Sequence, residues 1–494
     1  MASVAAMAVC ACATQPVAVT TGNVISNVTV VNTRDGSLAP GMTIVVDNGR
    51  IVKIAPVGSI RASGSAQVVD ASGKFAVPGF MDMHLHALEA ADQRPSYWPL
   101  MVANGVTSYR EMSGATALLE RGQRFRKEIA QGAIVAPEML IQPGRLISLF
   151  PDGEGPGITT AEQAIQEVRR QKQLGAGFIK IIAVNRETFF ATMDEAKKQG
   201  LHVAGHLSTV VSTTEASNAG IRSLEHFGAG LISAALDCSS DEAALRKELL
   251  ARSAKPKPAP AGPPTPSAIQ RALVNPLLLQ LAEAEFAKRV LDSYSEEKCR
   301  ALARTFVRNG TWHVPTLIRL RAMQFGADPA SRTRPELVYV PPATRAMWHE
   351  VADQFAKTVP PSTSETYRRF YDLQMRMAKL FKQEGVKMLA GPDGGQWTAP
   401  GFGLHREFDE LARAGLSPLE ILQMTTLNGA EFLGREASMG SVDEGKNADL
   451  VLLDANPIAS AANLHGIWGV VLRGRYLSRA ELDKMKEEVA AAYR

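Results

Sequence analysis

The chain has 494 residues, of which 45% are hydrophobic, 21% charged and 6% aromatic, and its formal net charge is +4. This is the composition of a globular protein with a large core. Because the charge is nearly balanced, aromatic residues are few and no dense block of Lys and Arg occurs, no nucleic-acid partner is expected. The length fits one large domain with an accessory domain, or two to three ordinary domains.

The N-terminal stretch ASVAAMAVCACAT is apolar but too short to span a bilayer. Its length suits a secretory signal, and AVCAC resembles a lipoprotein processing site with Cys12 as the lipidated residue, although the first basic residue is Arg34. The alternative is an ordinary disordered N-terminus or a misassigned start. Residues 1–20 are therefore set apart as a possible signal or lipoprotein segment. With it the protein would be periplasmic, secreted or a lipoprotein, and without it cytoplasmic; no integral membrane span is predicted.

Strand-like segments occupy the region from 23 to 77, and a DNGR turn signal lies between two of the apolar runs. Further along, short apolar runs alternate with helical patterns such as TAEQAIQEVRRQKQLGA. The eight strand candidates are AVPGFMDMHLH, GVTSYRE, EMLIQPG, GFIKIIAV, LHVAGHL, GIRSLEHF, TWHVPTLI and VKMLAGPD. Eight such units predict an α/β fold built on a (β/α)8 TIM-like barrel.

The expected domain organisation places this barrel between two halves of a small β-domain. Residues 21–76 and 438–480 are expected to pair as a β-sandwich, with the barrel at 77–437 and a C-terminal helix at 481–494. Two connections are too long for ordinary loops and predict insertions at about 230–310 and 319–365. The first contains AKPKPAPAGPPTPS, which is typical of an extended polyproline-type loop.

Residues of metal-binding type stand at the ends of the apolar runs. His84 and His86 are two positions apart, so in a strand their side chains share a face. Lys180 lies within an apolar run, where a charged amine is costly unless it is paired or chemically altered. The carboxyl ends of parallel barrel strands meet at one mouth, so these groups are expected to converge. The complete set is His84, His86, Lys180, His206, His226 and Asp393.

Together these motifs resemble those of the amidohydrolase superfamily, specifically its imidazolonepropionase-like members with a binuclear metal centre, which include dipeptidases and prolidase-like carboxypeptidases. VPGFMDMHLH resembles the first-strand motif, GAGFIKI the fourth-strand lysine motif, and GHLS, SLEHF and AGPDGG the fifth-, sixth- and eighth-strand motifs. The last helices and the returning β-domain are also similar. The likeness runs from about Asn23 to Leu477 and is weakest in 230–310 and 319–365.

The resemblance implies two divalent metal ions, with zinc as the expected metal, bridged by N6-carboxylysine at Lys180. A hydroxide shared by the metals would attack a substrate carbonyl, and Asp393 would pass its proton to the leaving amine. The expected reaction is hydrolysis of an amide C–N bond in a small substrate such as a dipeptide or an N-acyl amino acid. Relatives commonly form homo-oligomers, so a homo-oligomer is expected. The implied ligands are His84, His86 and Asp393 for one metal and His206 and His226 for the other.

Three residues are weaker candidates for substrate contact. Tyr109 and Arg110 end the second strand candidate, where relatives carry substrate-side groups, and Arg110 is able to clamp a carboxylate with two hydrogen bonds. The alternative for Arg110 is a structural salt bridge with Glu111 or another carboxylate. For His313, which precedes the core of the seventh candidate, a structural role is favoured. His405 is expected to orient the eighth-strand loop.

Substrate identity is left open by one departure from the pattern. Many relatives have a Gly-Gly-His segment after the third strand, whereas PGRLISLFPDGEGPG here contains no histidine. Xaa-Arg or Xaa-Pro dipeptidase specificity therefore does not transfer directly, and a urea, carbamate or lactone would suit the same centre. A deaminase is disfavoured, because Thr209 stands where such enzymes place a Glu and Lys180 would have no role. A non-catalytic relative is disfavoured because every ligand position is filled.

Overall fold

The computed structural model describes residues 16–90, 97–228, 231–253 and 266–494. The apolar N-terminal stretch and most of the proline-rich stretch lie outside these ranges. Among the helices described, none is both long and apolar enough to cross a membrane.

The strands fall into an N-terminal group, a central group and a C-terminal group. They are β1 (Val17–Val19), β2 (Asn23–Val31), β3 (Leu38–Asp47), β4 (Arg50–Pro56), β5 (Ile60–Ala62), β6 (Gln67–Asp70), β7 (Phe75–Pro78), β8 (Phe80–Leu85), β9 (Val106–Glu111), β10 (Glu138–Ile141), β11 (Ile147–Ser148), β12 (Ile179–Ala183), β13 (Val203–Gly205), β14 (Ser223–Glu225), β15 (Trp312–Val314), β16 (Leu450–Leu453), β17 (Ile467–Leu472) and β18 (Arg475–Ser478).

Helices follow most of the central strands and fill the long connections. They are α1 (Ala87–Ala90), α2 (Tyr97–Ala103), α3 (Thr116–Ala130), α4 (Ala161–Gln173), α5 (Arg186–Lys198), α6 (Thr213–Asn218), α7 (Ser233–Asp237), α8 (Glu242–Ser253), α9 (Pro266–Val274), α10 (Ala284–Asp292), α11 (Glu296–Asn309), α12 (Leu317–Gln324), α13 (Pro342–Thr358), α14 (Pro361–Gln383), α15 (Phe402–Arg413), α16 (Pro418–Met424), α17 (Leu427–Leu433) and α18 (Arg479–Ala492).

Local sequence explains where these helices begin. At the start of α4, Thr160 and Gln163 form a capping box, in which each side chain bonds the other's backbone N–H. Ala164 and Val168 then lie four residues apart on one buried face of the helix. The helical pattern in TAEQAIQEVRRQKQLGA is thus confirmed.

Strands from both ends of the chain share one mixed sheet of eight strands, in the order β18-β17-β16-β7-β2-β3-β4, with β6 also paired to β2. The halves join where β16 runs antiparallel to β7, placing Val451 opposite Val77. Ile25, Ile44 and Leu450 lie in the buried cluster on this sheet. The two halves therefore meet edge to edge within one sheet, and β1 and β5 pair as a separate two-stranded parallel sheet. The β-sandwich expected from sequence is not shown among the described residues.

The central strands are parallel and form two sheets, β10-β9-β8 and β11-β12-β13-β14-β15. Seven of the eight predicted runs contain one of these strands. Between the two sheets, Pro143 and Phe178 form an isolated parallel bridge. The N–H of Gly177 donates to the carbonyl of Gln142 at 2.9 Å beside it. The end of β10 therefore lies next to the start of β12.

The eighth predicted run, VKMLAGPD, is not a regular strand, but it hydrogen-bonds on both sides. Met388 forms a parallel bridge with His313 of β15, and the carbonyl of Ala390 accepts from the N–H of Met83 in β8 at 2.9 Å. The run leaves the extended conformation at Asp393, whose φ is 61°. It thus lies between the last strand of one sheet and the first strand of the other.

The predicted insertions are largely helical where they are described, with α7 to α11 in the first and α12 to α14 in the second. Cys238 and Cys299 form a disulfide across the first insertion, 61 residues apart with Cα atoms at 4.5 Å. Both residues are fully buried. This pairing was not predicted from the sequence, because spacing alone does not reveal it.

We expect the disulfide to stabilise the fold, because it shortens the loops available to the unfolded chain. The expected contribution to the free energy of unfolding is about 2–4 kcal/mol. In urea titrations, the double variant Cys238→Ser/Cys299→Ser should lose this amount. Dithiothreitol should lower the stability of the wild type and leave that of the variant unchanged. A wild type as stable as the variant, with no response to reductant, would contradict the crosslink.

Candidate metal centre

Asp393 is the hub of a cluster of histidine side chains at the ends of the central strands. Its Oδ1 lies 3.1 Å from Nε2 of both His84 and His86. Its Oδ2 lies 3.6 Å from Nε2 of His226. Donor atoms of His84, His226 and Asp393 all lie within 4.8 Å of one another, which is the spacing of groups able to share a metal ion.

Backbone conformation aims these groups. His226 and Asp393 have φ of 54° and 61°, in the left-handed region that costs free energy for residues other than glycine. Gly391 lets the eighth segment approach β8, since a Cβ added there would lie 2.5 Å from the backbone N of His84. Local strain and close approach together bring Asp393 and the histidines to one point.

Each of three histidines is held through Nδ1, which leaves Nε2 directed at the centre. Such anchoring fixes the ring orientation and the tautomer of metal-binding imidazoles. The buried Nε2 of His84 faces Oδ1 of Asp393 at 3.1 Å. The anchoring contacts are His84 to Glu225 Oε2 at 2.8 Å, His86 to Ser113 Oγ at 3.1 Å and His226 to Thr316 Oγ1 at 2.5 Å.

The electrostatics of the cluster favour neutral imidazoles at His206 and His226 and an ionised carboxylate at Asp393. Burial lowers the pKa of His206 well below its usual value and that of His226 to about 3. Burial opposes the charged form of His84, but the carboxylates of Asp393 and Glu225 outweigh it and raise its pKa. Although burial favours the neutral acid, His84 and His226 lower the pKa of Asp393 well below its usual range. Neutral imidazole and carboxylate are the ligand forms that metals bind.

Lys180 and His206 complete the predicted set. Lys180 is buried in β12, and its Nζ donates to the carbonyl of Met112 at 2.8 Å. Burial lowers its pKa, and its positive charge contributes to lowering the pKa of both His86 and His206. The ring of His206 lies 5.0 Å from that of His226. His206 therefore lies beside His226, and Lys180 lies close enough to act electrostatically on His86 and His206. The role of all six residues as metal ligands stays a prediction.

Arg110 is engaged in a buried ion pair rather than open to substrate. Its Nη2 lies 3.0 Å from both carboxylate oxygens of Glu225, its Nη1 donates to Ser223 and its Nε to the carbonyl of Met83. Both Arg110 and Glu225 are fully buried. This matches the salt-bridge alternative, with Glu225 as the partner in place of Glu111.

Tyr109 and His313 are also fully buried. The Tyr109 ring packs 5.6 Å from that of Trp98. His313 packs against Phe306 and Phe381, and burial lowers its pKa to about 3. Substrate contact by Tyr109, Arg110 or His313 stays a prediction. The burial of all three side chains argues against it.

His405, expected to orient the eighth-strand loop, instead contacts the end of α2. Its Nε2 lies 2.8 Å from the carbonyl of Asn104. The imidazole therefore holds the connection between α2 and β9.

Three residues that bear on the centre were not found by sequence reasoning. Glu225 stands beside His226 in SLEHF, and a buried acid at a strand end was its only sequence signal. Thr316 has φ of 48° and contacts His226 from the turn after β15. Arg319 Nε lies 3.5 Å from Asp393 Oδ2. Thr316 and Arg319 belong to no sequence motif with the spacing of metal ligands, so no signal in the sequence indicates them.

We expect Glu225→Gln to weaken both the fold and the metal site. The substitution leaves Arg110 buried without its counter-charge, at a cost of about 3–5 kcal/mol in unfolding free energy. It also loosens His84, for which a loss of about 10–100-fold in metal affinity is typical. Urea titration and metal titration measure the two effects.

Glu195→Gln is a matched control, because Glu195 is buried but pairs with Arg169, whose side chain is 56% exposed. This variant should keep the metal affinity of the wild type. Unchanged stability and affinity in Glu225→Gln would contradict the assigned role of Glu225.

Comparison with known proteins shows what parts of this chain are similar to. Residues 372–477 match the Amidohydrolase family. The chain is 29% identical to adenine deaminase of Listeria welshimeri over 193 residues, 37% of this chain and 31% of that protein. It is 35% identical to imidazolonepropionase of Treponema denticola over 79 residues, 16% of this chain and 19% of that protein. The matched region thus spans less than a third of either curated relative.

Solved structures share the fold over nearly the whole chain. Bottromycin amidohydrolase superposes with a TM-score of 0.66 at 21% identity, covering 95% of this chain and 90% of that one. A prolidase complexed with N-methylphosphonate-L-proline superposes with a TM-score of 0.61 at 20% identity, covering 93% and 100%. The protein thus shares the α/β fold of these amidohydrolase structures. The family match covers residues 372–477, and over the rest of the chain the likeness to these proteins is one of fold.

Proposed function

We propose that this protein is a metal-dependent hydrolase that cleaves an amide C–N bond of a small substrate, such as a dipeptide or an N-acyl amino acid. The observation that carries the proposal is the contact of Asp393 with three imidazoles, together with the convergence of donor atoms of His84, His226 and Asp393 within 4.8 Å of one another. A divalent metal ion is the ligand that fits neutral imidazole and carboxylate together.

The donor set is large enough for two metal ions. His84, His86 and Asp393 would hold one, His206 and His226 the other, and Lys180 would bridge them as N6-carboxylysine. Burial lowers the pKa of Lys180 and so favours the neutral amine, which is the form that combines with carbon dioxide. When bound, two such ions would supply Lewis acidity and lower the pKa of water toward neutrality.

The chain's own residues account for the proton transfers. Asp393 is ionised, so it accepts the proton released as water adds to the carbonyl. It then donates that proton to the leaving nitrogen, which departs as an amine. The contacts of Glu225, Ser113 and Thr316 hold the histidine rings in place during this exchange.

We further infer that the two parallel sheets form one closed (β/α)8 barrel. The pairing of Pro143 with Phe178 supports continuity at one junction. The bonds of the segment around Met388 and Ala390 to β15 and β8 support it at the other. Barrel closure would explain why the polar groups from strands distant in sequence meet at a single mouth.

Deamination is the second candidate, and the likeness to adenine deaminase favours it. It breaks a C–N bond at an amidine carbon with release of ammonia. A urea, carbamate or lactone would suit the same donor set.

We also propose that the protein is located in an oxidising compartment, which the Cys238–Cys299 disulfide supports. We propose a homo-oligomer, as in many relatives.

A substrate screen on the metal-replete protein tests the proposal. The panel contains dipeptides, N-acyl amino acids, aryl amides, a urea, a carbamate, a lactone and adenine. Hydrolysis of an amide that stops on chelation and returns with metal supports the proposal. Release of ammonia from adenine with every amide left intact would favour the deaminase instead.

A further inference from the structure

A cation that the metal centre does not require lies against Asp393. Arg319, the third residue of α12, places Nε 3.5 Å from Asp393 Oδ2, and its side chain is 12% exposed. Among the residues that the structure describes, Asp393 is its one ion-pair partner. The guanidinium is therefore nearly buried beside the group that transfers protons.

The start of α12 is built to hold Arg319 in this position. Both carboxylate oxygens of Glu407 accept backbone N–H bonds, from Leu317 at 2.9 Å and from Ile318 at 2.8 Å. Just before them, Thr316 is bonded to His226. The backbone that carries Arg319 is thus tied to the metal centre on one side and capped by a buried acid on the other.

Some N–H groups of the Arg319 guanidinium are not used in its hydrogen bonds to the described residues. Its Nη1 donates to the carbonyl of Val274 at 2.9 Å, and its Nη2 to that of Leu273, both at the C-terminal end of α9. Of five N–H groups on an arginine, two serve these carbonyls and the one on Nε faces Asp393. Two N–H groups remain, one on each Nη atom, and a charged N–H donates strongly to a carboxylate.

The eighth-strand loop leaves room for the guanidinium. A Cβ added at Gly395 would lie 2.8 Å from Arg319 Nη1, so a side chain at this position would displace the arginine. Gly395 also has φ of 97°, a conformation that L side chains rarely adopt. The loop that carries Asp393 is therefore shaped around Arg319.

The charge balance around Arg319 indicates that its guanidinium is able to bind a further anion. Asp393 already faces Nε2 of three histidines, and its charge would be shared further if a metal bound there. A nearly buried guanidinium is costly without a full counter-charge. A substrate carboxylate would supply that charge when it enters.

We propose that Arg319 binds a carboxylate carried by the leaving amine, so that the substrates are N-acyl amino acids or dipeptides. The inference rests on the proposed function, in which Asp393 gives its proton to the leaving nitrogen. Arg319 lies beside Asp393 and hence on the leaving-group side of the scissile bond. The carboxylate of an amino acid is two bonds from its nitrogen, within reach of the neighbouring guanidinium. Water adds across the C–N bond, giving a carboxylic acid and the free amino acid.

The test compares N-acetyl amino acids with N-acetyl amines that match them except for the carboxylate. Examples are N-acetylphenylalanine against N-acetyl-2-phenylethylamine, and pairs with smaller and larger side chains. Isothermal titration calorimetry on the metal-replete protein gives Kd for each, and kcat/KM is measured in parallel. We expect the wild type to prefer the carboxylate partner at least about tenfold, as for a charge-assisted hydrogen bond. Arg319→Gln should lose this preference.

Arg334→Gln is the matched control, because Arg334 also donates to a carbonyl, that of Trp397 at 3.0 Å, and has no ion pair with Asp393. It should keep the wild-type preference. Equal Kd for both partners in the wild type, no binding of any pair, or an unchanged preference in Arg319→Gln would overturn the inference. Hydrolysis of charged and uncharged amides at equal rates would overturn it while leaving the proposed function standing.

Discussion

Asp393→Asn is expected to lower kcat by at least about a hundredfold, the scale of a lost general acid–base group. The amide is close in shape to the carboxylate and is able to keep the contacts with His84 and His86 at 3.1 Å. It is not able to accept a proton from the water nucleophile and return it to the leaving nitrogen. The variant should therefore retain most of its metal while losing turnover, which steady-state kinetics and elemental analysis measure together.

Asp409→Asn provides the control, because Asp409 pairs with His465 at 3.0 Å, away from the cluster. It should keep near-normal rates. If Asp393→Asn were as fast as the wild type, proton transfer would belong to another group.

Lys180→Ala is expected to lose at least about a hundredfold in kcat/KM. The bridging group proposed at this position supports a metal effect worth several kcal/mol, which corresponds to that factor or more. Because the proposed group is a carboxylate and not an amine, short carboxylic acids such as acetate or propionate should restore part of the activity by entering the space left behind. The measurement is the rate of the variant as the acid concentration rises.

Lys446→Ala serves as the control for this rescue. Lys446 is also buried and donates to a backbone carbonyl, that of Met439 at 3.3 Å, but it lies in the segment leading to β16. The activity of the Lys446→Ala variant should not respond to carboxylic acids. A Lys180→Ala variant with wild-type activity would show that no carboxylated lysine is needed.

Much of the central fold and the candidate site could be predicted because each depends on local periodicity. Apolar runs separated by amphipathic helical patterns indicate parallel strands, and seven of the eight runs contain one. Histidines two residues apart share a strand face, so His84 and His86 were predictable as a pair. Lys180 was recognisable because a lysine inside an apolar run has few structural explanations.

The rest depends on contacts between residues far apart in sequence, which periodicity does not encode. Arg110 pairs with Glu225, 115 positions away, so sequence alone did not distinguish a substrate clamp from a buried salt bridge. The eighth run departs from a regular strand through the left-handed backbone at Asp393. Arg319 reaches Asp393 only because a turn and a capped helix fold back over the cluster.

The most direct measurement of the central claim is the metal content and metal position of the purified protein. Elemental analysis combined with anomalous diffraction gives the number of ions per chain and their location. The account predicts about two divalent ions per chain, about 3.5–4 Å apart, between Asp393, the four histidines of the cluster and Lys180. A protein that contains no metal, binds none among these residues and shows no activation by any divalent ion would contradict it.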